Sequence, residues 1–283
     1  MRPVLEALCP PAPDGGQRLY LHHRPPPGQP VRGTVVQVHA WAEEMNKSRR
    51  MAAQASRALA ADGWAVLQID LMGCGDSSGD FADARWATWL DDIDQAADWL
   101  TARHPGVPLW LWGQRAGALL AAAVAARRPA TPHLLLWQPV TQGKTLMQQF
   151  LRLKAAAQLA DGGGKAILEA ARADLAAGRP VEIAGYWLHP ALHDAAQAAS
   201  LRPPAPQPAG ATPRLVWLEV SSAAEPALSP VAQTALAAWR SAGWSADAAV
   251  VAGPPFWQTV EIEDAPDLTT ATVQQLAADR VAA

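Results

Sequence analysis

Of 283 residues only two are cysteine, Cys9 and Cys74. They lie far apart and form no Cys-x-x-Cys, which excludes a disulfide framework and points to a reducing compartment. Charge of a dominant sign is lacking too: 23 Lys and Arg stand against 26 Asp and Glu, a net charge of −3. That balance carries no electrostatic footprint for nucleic acid or for an anionic membrane. Long hydrophobic runs are missing. The most apolar stretch, Leu119 to Ala126, is far too short to span a bilayer and is mostly Ala. Behind Met1 come Pro10, Pro11 and Pro13, with no apolar run of signal-peptide length. These absences predict a cytoplasmic protein with no membrane span and no nucleic-acid partner.

Half of the residues are apolar, so a sizeable core is within reach. Short apolar runs alternate with helical patterns, which predicts βαβ units and a mostly parallel sheet. Strands are expected at Arg18 to His23, Gly33 to His39, Ala65 to Asp70, Pro108 to Trp112, His133 to Trp137, Leu215 to Val220 and Ala246 to Val251. Helices are expected at Asn46 to Ala61, Asp83 to Arg103, Ala116 to Arg127, Val231 to Ala242 and Ala265 to Val281. In the second of these Trp86, Trp89, Leu90, Ile93, Ala97 and Leu100 trace one face at helical spacing. The thirteen tryptophans are read mostly as core. Residues 141 to about 200 break the alternation. Gln142 to Ala160 and Lys165 to Ala177 read as helices joined across Gly162-Gly163-Gly164, followed by a short β-like Val181 to Leu188. The Pro-rich stretch Pro203 to Pro208 reads as a linker.

The string Leu109-Trp110-Leu111-Trp112-Gly113-Gln114-Arg115-Ala116-Gly117-Ala118-Leu119-Leu120 is an apolar run, a Gly-x-X-x-Gly turn and an Ala/Leu helix. That is the layout of the nucleophile elbow of α/β-hydrolases, where a Ser sits on a sharp strand-to-helix turn. Both glycines are present, and they serve close strand–helix packing around a strained backbone. The central residue is Arg115. A guanidinium is always protonated and cannot attack a carbonyl. The spacing predicts a positive or strained φ at Arg115.

Three further segments join the elbow: His39-Ala40-Trp41-Ala42-Glu43-Glu44-Met45-Asn46-Lys47-Ser48-Arg49-Arg50, then Asp70-Leu71-Met72-Gly73-Cys74-Gly75-Asp76-Ser77-Ser78-Gly79-Asp80-Phe81, and the tail Gly253-Pro254-Pro255-Phe256-Trp257. With them the chain resembles the second of the hydrolase-like proteins associated with the exosortase A system of Gram-negative bacteria. The resemblance implies an α/β-hydrolase fold: a mostly parallel twisted sheet flanked by helices, with a helical cap inserted after the strand that follows the elbow helix. It gives residues 1–140 and 209–283 as the core, and 141–208 as cap insertion and linker. Because such genes sit with exopolysaccharide and protein-sorting loci, proteins of that locus are the implied partners. It implies no substrate.

The order in this fold is Ser, then an acid after a later strand, then a His after the last strand. Arg115 occupies the first position. Ser221-Ser222-Ala223-Ala224-Glu225-Pro226 follows the later strand and offers Glu225. Gly253-Pro254-Pro255-Phe256-Trp257 follows the last strand and offers no His. A general base needs a titratable group within hydrogen-bond reach. A displaced machine would use Cys74, Ser77, Ser78, Ser221 or Ser222. Cys74 with His39 would make a thiolate–imidazole pair suited to acyl transfer. Against it, His39 matches the His that opens the oxyanion-hole loop, where it is structural, and Cys74 suits a small buried filler. Asp76-Ser77-Ser78-Gly79 reads as a loop and capping motif.

Glu43 and Glu44 follow His39 in the loop that would build the oxyanion hole, and an acidic pair there opposes a developing oxyanion. His189 and His193 stand at i, i+4 spacing without the Glu of His-Glu-x-x-His, so no metal is expected, and no cofactor. Arg115 would sit at a helix N-terminus, an anion-attracting place. The cleft is therefore expected to gather His39, Trp41, Glu43, Glu44, Asp76, Gln114, Arg115 and Trp257. It would hold a small anionic, acyl or glycan ligand. A mostly buried guanidinium demands a carboxylate partner, with Glu43, Glu44, Asp76 and Glu225 as candidates. Two functions follow: a non-catalytic binding or accessory protein, or an ester or thioester hydrolase using rearranged residues.

Overall fold

The computed structural model describes residues 2–156, 164–204 and 212–277. The strands are β1 (Val4–Leu8), β2 (Tyr20–Arg24), β3 (Gly33–Val38), β4 (Trp64–Ile69), β5 (Leu109–Gln114), β6 (His133–Trp137), β7 (Val181–Ile183), β8 (Tyr186–Leu188), β9 (Arg214–Ser221) and β10 (Ser245–Ala252). The helices are α1 (Glu43–Ala61), α2 (Trp86–Arg103), α3 (Gly117–Arg127), α4 (Gly143–Ala156), α5 (Gly164–Ala176), α6 (Pro190–Ala198), α7 (Pro230–Ser241) and α8 (Pro266–Ala277). Eight strands form one sheet in the order β1-β2-β4-β3-β5-β6-β9-β10. β1 with β2 and β2 with β4 run antiparallel, and the other neighbours run parallel.

The sheet is covered on both faces, which is why its central strands are apolar without alternation. β3 is buried at every position. On one face α1 and α8 cover Val35, Val66, Trp110, Trp112, Trp137 and Leu218. On the other, α2, α3 and α7 cover Val36, Leu67, Leu111, Leu136 and Trp217. The helical stripe read in α2 is the buried one: Trp89, Ile93, Ala97 and Leu100 all face this second core. Most tryptophans are core, and Trp64, Trp110, Trp112 and Trp137 make a continuous layer under α1 and α8. Truncating one of them to Ala would cost about 3–5 kcal/mol through lost burial and a residual cavity.

Differences from the sequence reading lie in short and local elements. The edge strand β1 was not expected, because it is only five residues long and three of its positions are exposed. Val181 to Leu188 is not one strand but a two-stranded antiparallel hairpin turning at Ala184-Gly185, with φ of +51° and +87°. α6 was not expected either. Pro190 at its first turn and the His189 ring, whose Nδ1 accepts the Ala191 N–H, start it. The Gly162-Gly163-Gly164 joint, much of the Pro-rich stretch and the end of the last helix lie outside the described residues, Gly164 and Pro203-Pro204 excepted. No helix among the described residues is long and apolar enough to cross a membrane.

Candidate functional site

β5 ends at Gln114 and α3 begins at Gly117. Arg115 stands between them with a φ of +54°. This left-handed conformation costs a non-glycine residue about 1–2 kcal/mol. Neighbouring backbone holds it there. Arg115 N–H donates to the Trp137 carbonyl at 2.9 Å, and the Arg115 carbonyl accepts from Val140 N–H at 3.1 Å and Ala118 N–H at 3.2 Å. The two flanking glycines answer a steric need. A Cβ at Gly113 would lie 2.5 Å from Ala118 Cα, and one at Gly117 would lie 2.5 Å from the His39 carbonyl oxygen. Strand, helix and the loop after β3 therefore meet closely at this turn.

The guanidinium has three partners. Its Nε donates to Glu44 Oε2 at 3.3 Å, its Nη2 to Glu44 Oε1 at 3.2 Å, and its Nη1 to the Gln138 carbonyl at 3.2 Å. Its carbon lies 5.1 Å from the Trp257 ring centroid. The two-point contact with Glu44 suits the planar fork of arginine. The Arg115 side chain is 11% exposed and that of Glu44 18%. Of the four candidate partners Glu44 is the one used. Glu43 pairs instead with Lys47 at 3.7 Å. Glu225 is exposed in the loop after β9 and Asp76 is exposed in the loop after β4, so neither serves. Both were proposed from chain order alone, and loop direction separates them from the turn.

Strain gathers around this pair. Ala42, at the start of α1, has a φ of +46°, and Gln138, just after β6, has +42°. With Arg115 they are three of the four non-glycine residues of positive φ among the described residues. Gln138 had no signal in the sequence beyond ending an apolar run. It stitches the strand ends together, donating N–H to the Leu218 carbonyl at 2.7 Å and accepting Val220 N–H on Oε1 at 2.8 Å. Strained residues persist where the surroundings over-determine them, commonly at ligand clamps.

The segment after β10 holds no His. Beyond β10, Phe256 and Trp257 are buried, and Phe256 packs edge-on to Trp137 at 6.4 Å. The buried acid of β9 is Glu219, which the sequence reading missed. Its signal was a lone carboxylate inside the apolar run Leu215 to Val220. It accepts from Trp217 Nε1 at 3.1 Å, Ser229 N–H at 2.9 Å and Ser229 Oγ at 2.8 Å, so it anchors the start of α7.

The residues of the displaced machine are hydrogen-bonded elsewhere. The Leu71 N–H, which can only donate, bonds His39 Nε2 at 3.3 Å. The proton must then sit on Nδ1, which donates to the Ala40 carbonyl at 2.8 Å. Both ring nitrogens are occupied, and burial pushes the imidazole below its ordinary pKa. Burial pushes the Cys74 thiol well above the ordinary range. Ser77 Oγ donates to the Asp70 carbonyl and accepts Leu19 N–H at 2.9 Å. Cys74, Ser77 and His39 are thus each engaged in local contacts, and no hydrogen bond joins His39 to Cys74 or Ser77 among the described residues.

A cleft of about 500 Å³ lies beside the elbow and is lined by Glu44, while Arg115 and Asp76, both expected in it, do not line it. Trp41, Ala42, Glu43, Glu44 and Lys47 form one side, and Leu146, Gln149, Phe150 and Leu153 of α4 form another, with Trp257 and Gln258. His39 and Gln114 do not line it. They face a separate polar pit under α1. Their side chains point to the α1 face of the sheet because they share strand parity with Val35 and Trp112. His193 bonds Asp194 at 2.8 Å, and no group of three or more potential metal ligands lies among the described residues.

The model of the serine aminopeptidase S33 family matches residues 29–194, more than half of the chain. A search of curated proteins finds no match. Solved structures are similar over almost the full length. A highly thermostable carboxyl esterase from Bacillus coagulans, solved with glycerol, covers 97% of this chain and 98% of its own, with 14% identity and a TM-score of 0.63. Est1E from Butyrivibrio proteoclasticus, solved with ferulic acid, covers 98% of this chain and 100% of its own, with 16% identity and a TM-score of 0.59. The thioesterase domain from the curacin biosynthetic pathway covers 97% and 99%, with 19% identity and a TM-score of 0.54. Eight-stranded sheet, helices on both faces, strained elbow and family match lead to one conclusion: the chain belongs to the serine aminopeptidase S33 family and has the α/β-hydrolase fold.

Proposed function

We propose that this chain is a non-catalytic member of its family, a binding or accessory protein on a hydrolase scaffold. One observation carries the reading: the elbow is built to specification, with its strained φ and both glycines, yet presents Arg115 paired with Glu44. Nothing about that turn needs to be strained for an ion pair alone. The cleft above it supplies aromatic and aliphatic walls from Trp41, Leu146, Phe150, Leu153 and Trp257, the usual make-up of a small-molecule site. Of its lining charges, Glu43 pairs with Lys47, and Glu44 pairs with Arg115 behind the lining. This balance favours an uncharged acyl or glycan ligand over a free anion, because an anion would have to displace Glu44. α4, which falls in the expected cap insertion, walls the cleft through Leu146, Gln149, Phe150 and Leu153. The resemblance to exosortase A-associated hydrolases supports an accessory role with proteins of an exopolysaccharide locus, in the cytoplasm. The test is turnover of p-nitrophenyl acetate and butyrate. The expected result is no rate above the background. Clear turnover that is lost on mutating Cys74 or a serine near the cleft overturns the proposal.

A further inference from the structure

The α1 face of the sheet changes character toward the carboxyl ends of its strands. Its lower part is apolar, with Val35, Val66 and Trp110. Above them Gln37 of β3, Gln68 of β4 and Gln114 of β5 come in from three neighbouring strands. With Arg49 and Asp70 they line a narrow polar pit of about 20 Å³. Gln37 and Gln114 are 3% and 1% exposed. The side-chain nitrogen of each is buried with no hydrogen-bond partner among the described residues. A buried donor left in that state costs about 1–3 kcal/mol. Asp70 brings the complement. Its Oδ2 accepts from Arg49 Nη2 at 2.6 Å and from Asp76 N–H at 3.0 Å, which leaves Oδ1 as its other acceptor.

We propose that this pit is a binding site for one ordered water molecule, which accepts from the Gln37 and Gln114 amides and donates to Asp70 Oδ1. Size fits, since one water needs at least about 10–15 Å³ of such space. Valence fits, since a buried water makes about three hydrogen bonds. Charge decides between water and an ion. Arg49 and Asp70 already neutralise each other, so a chloride or sodium ion would add an uncompensated buried charge, and water adds none. Gln114 immediately precedes Arg115, so the water ties β3, β5 and the loop after β4 together at the root of the elbow. Gln37 and Gln114 are positioning residues in this role.

Water-proton relaxation dispersion on the full chain reads the long-lived internal waters directly. Gln37→Leu with Gln114→Met should remove the contribution of one such water. A room-temperature crystal structure of the wild type grown with bromide should show one peak within about 2.7–3.2 Å of both amide nitrogens and no anomalous signal there. An anomalous bromide peak, direct bonding of the amides to each other or to Asp70, or unchanged relaxation in the double variant would overturn the proposal. If the double variant does not fold, Gln37→Leu alone and the wild-type crystal decide it.

Discussion

Replacing Arg115 with methionine removes a cation while keeping most of the aliphatic stem. The full cost of breaking a buried ion pair is about 3–5 kcal/mol. Here the side chains are 11% and 18% exposed, so Glu44 can turn partly to water and the loss is smaller. The Gln138 carbonyl loses its donor, worth about 1 kcal/mol. The contact with Trp257 adds about 0.5–1 kcal/mol. The expected destabilisation is about 2–3 kcal/mol, the sum of these two losses and the discounted pair. Urea unfolding with an unchanged slope should report it as a lower midpoint. In a double-mutant cycle with Glu44→Gln the coupling should exceed about 1 kcal/mol, as residues in direct contact do. Arg115→Gly loses the same contacts but relieves the positive φ, so it should be at least as stable as Arg115→Ala despite the flexibility of glycine. A loss below about 0.5 kcal/mol, the level of an ordinary surface change, or additivity with Glu44→Gln, would refute the reasoning.

Four further outcomes follow. Arg115→Ser alone should show no ester turnover, because the segment after β10 offers Phe256 and Trp257 in place of a His, and strong activity would reveal another base. Gly117→Ala should be among the most damaging small substitutions, since its Cβ meets the Val38 and His39 carbonyls, and a stability within about 0.5 kcal/mol of wild type would contradict the close approach. Burial lowers His22 from 6.5 to about 3, so the unfolded chain binds the extra proton between those values. Stability should therefore fall as pH drops from 6.5 toward 3, by at most about 1.4 kcal/mol per unit, and His22→Leu should flatten that slope. In the native protein a thiol reagent should modify the exposed Cys9 and spare the buried Cys74, and both should react in urea.

How much was legible in the sequence depended on distance along the chain. The elbow was readable because its strand, turn and helix are contiguous, and its two glycines announce a close approach before any tertiary structure is known. Gly-x-Arg-x-Gly sets the conformation of Arg115, but not which acid answers it. Glu44 and Glu225 both follow strands whose carboxyl ends converge, and only loop direction brings the first to the guanidinium and leaves the second exposed. The same holds for His39. Its place at the end of β3 was clear, whereas the Leu71 and Ala40 bonds that close both nitrogens come from backbone geometry no pattern encodes. β1 and the hairpin β7–β8 are too short for periodicity to register. Gln114 was expected in the cleft, and Gln37 and Gln68 carried no signal; only adjacent strands bring the three together under α1.

The central claim is that the elbow carries no nucleophile. Incubation of the native protein with a fluorophosphonate, followed by intact mass measurement, tests it most directly. The account predicts the unmodified mass for the wild type and for Glu44→Gln. A stoichiometric adduct on any residue of the wild type would contradict it.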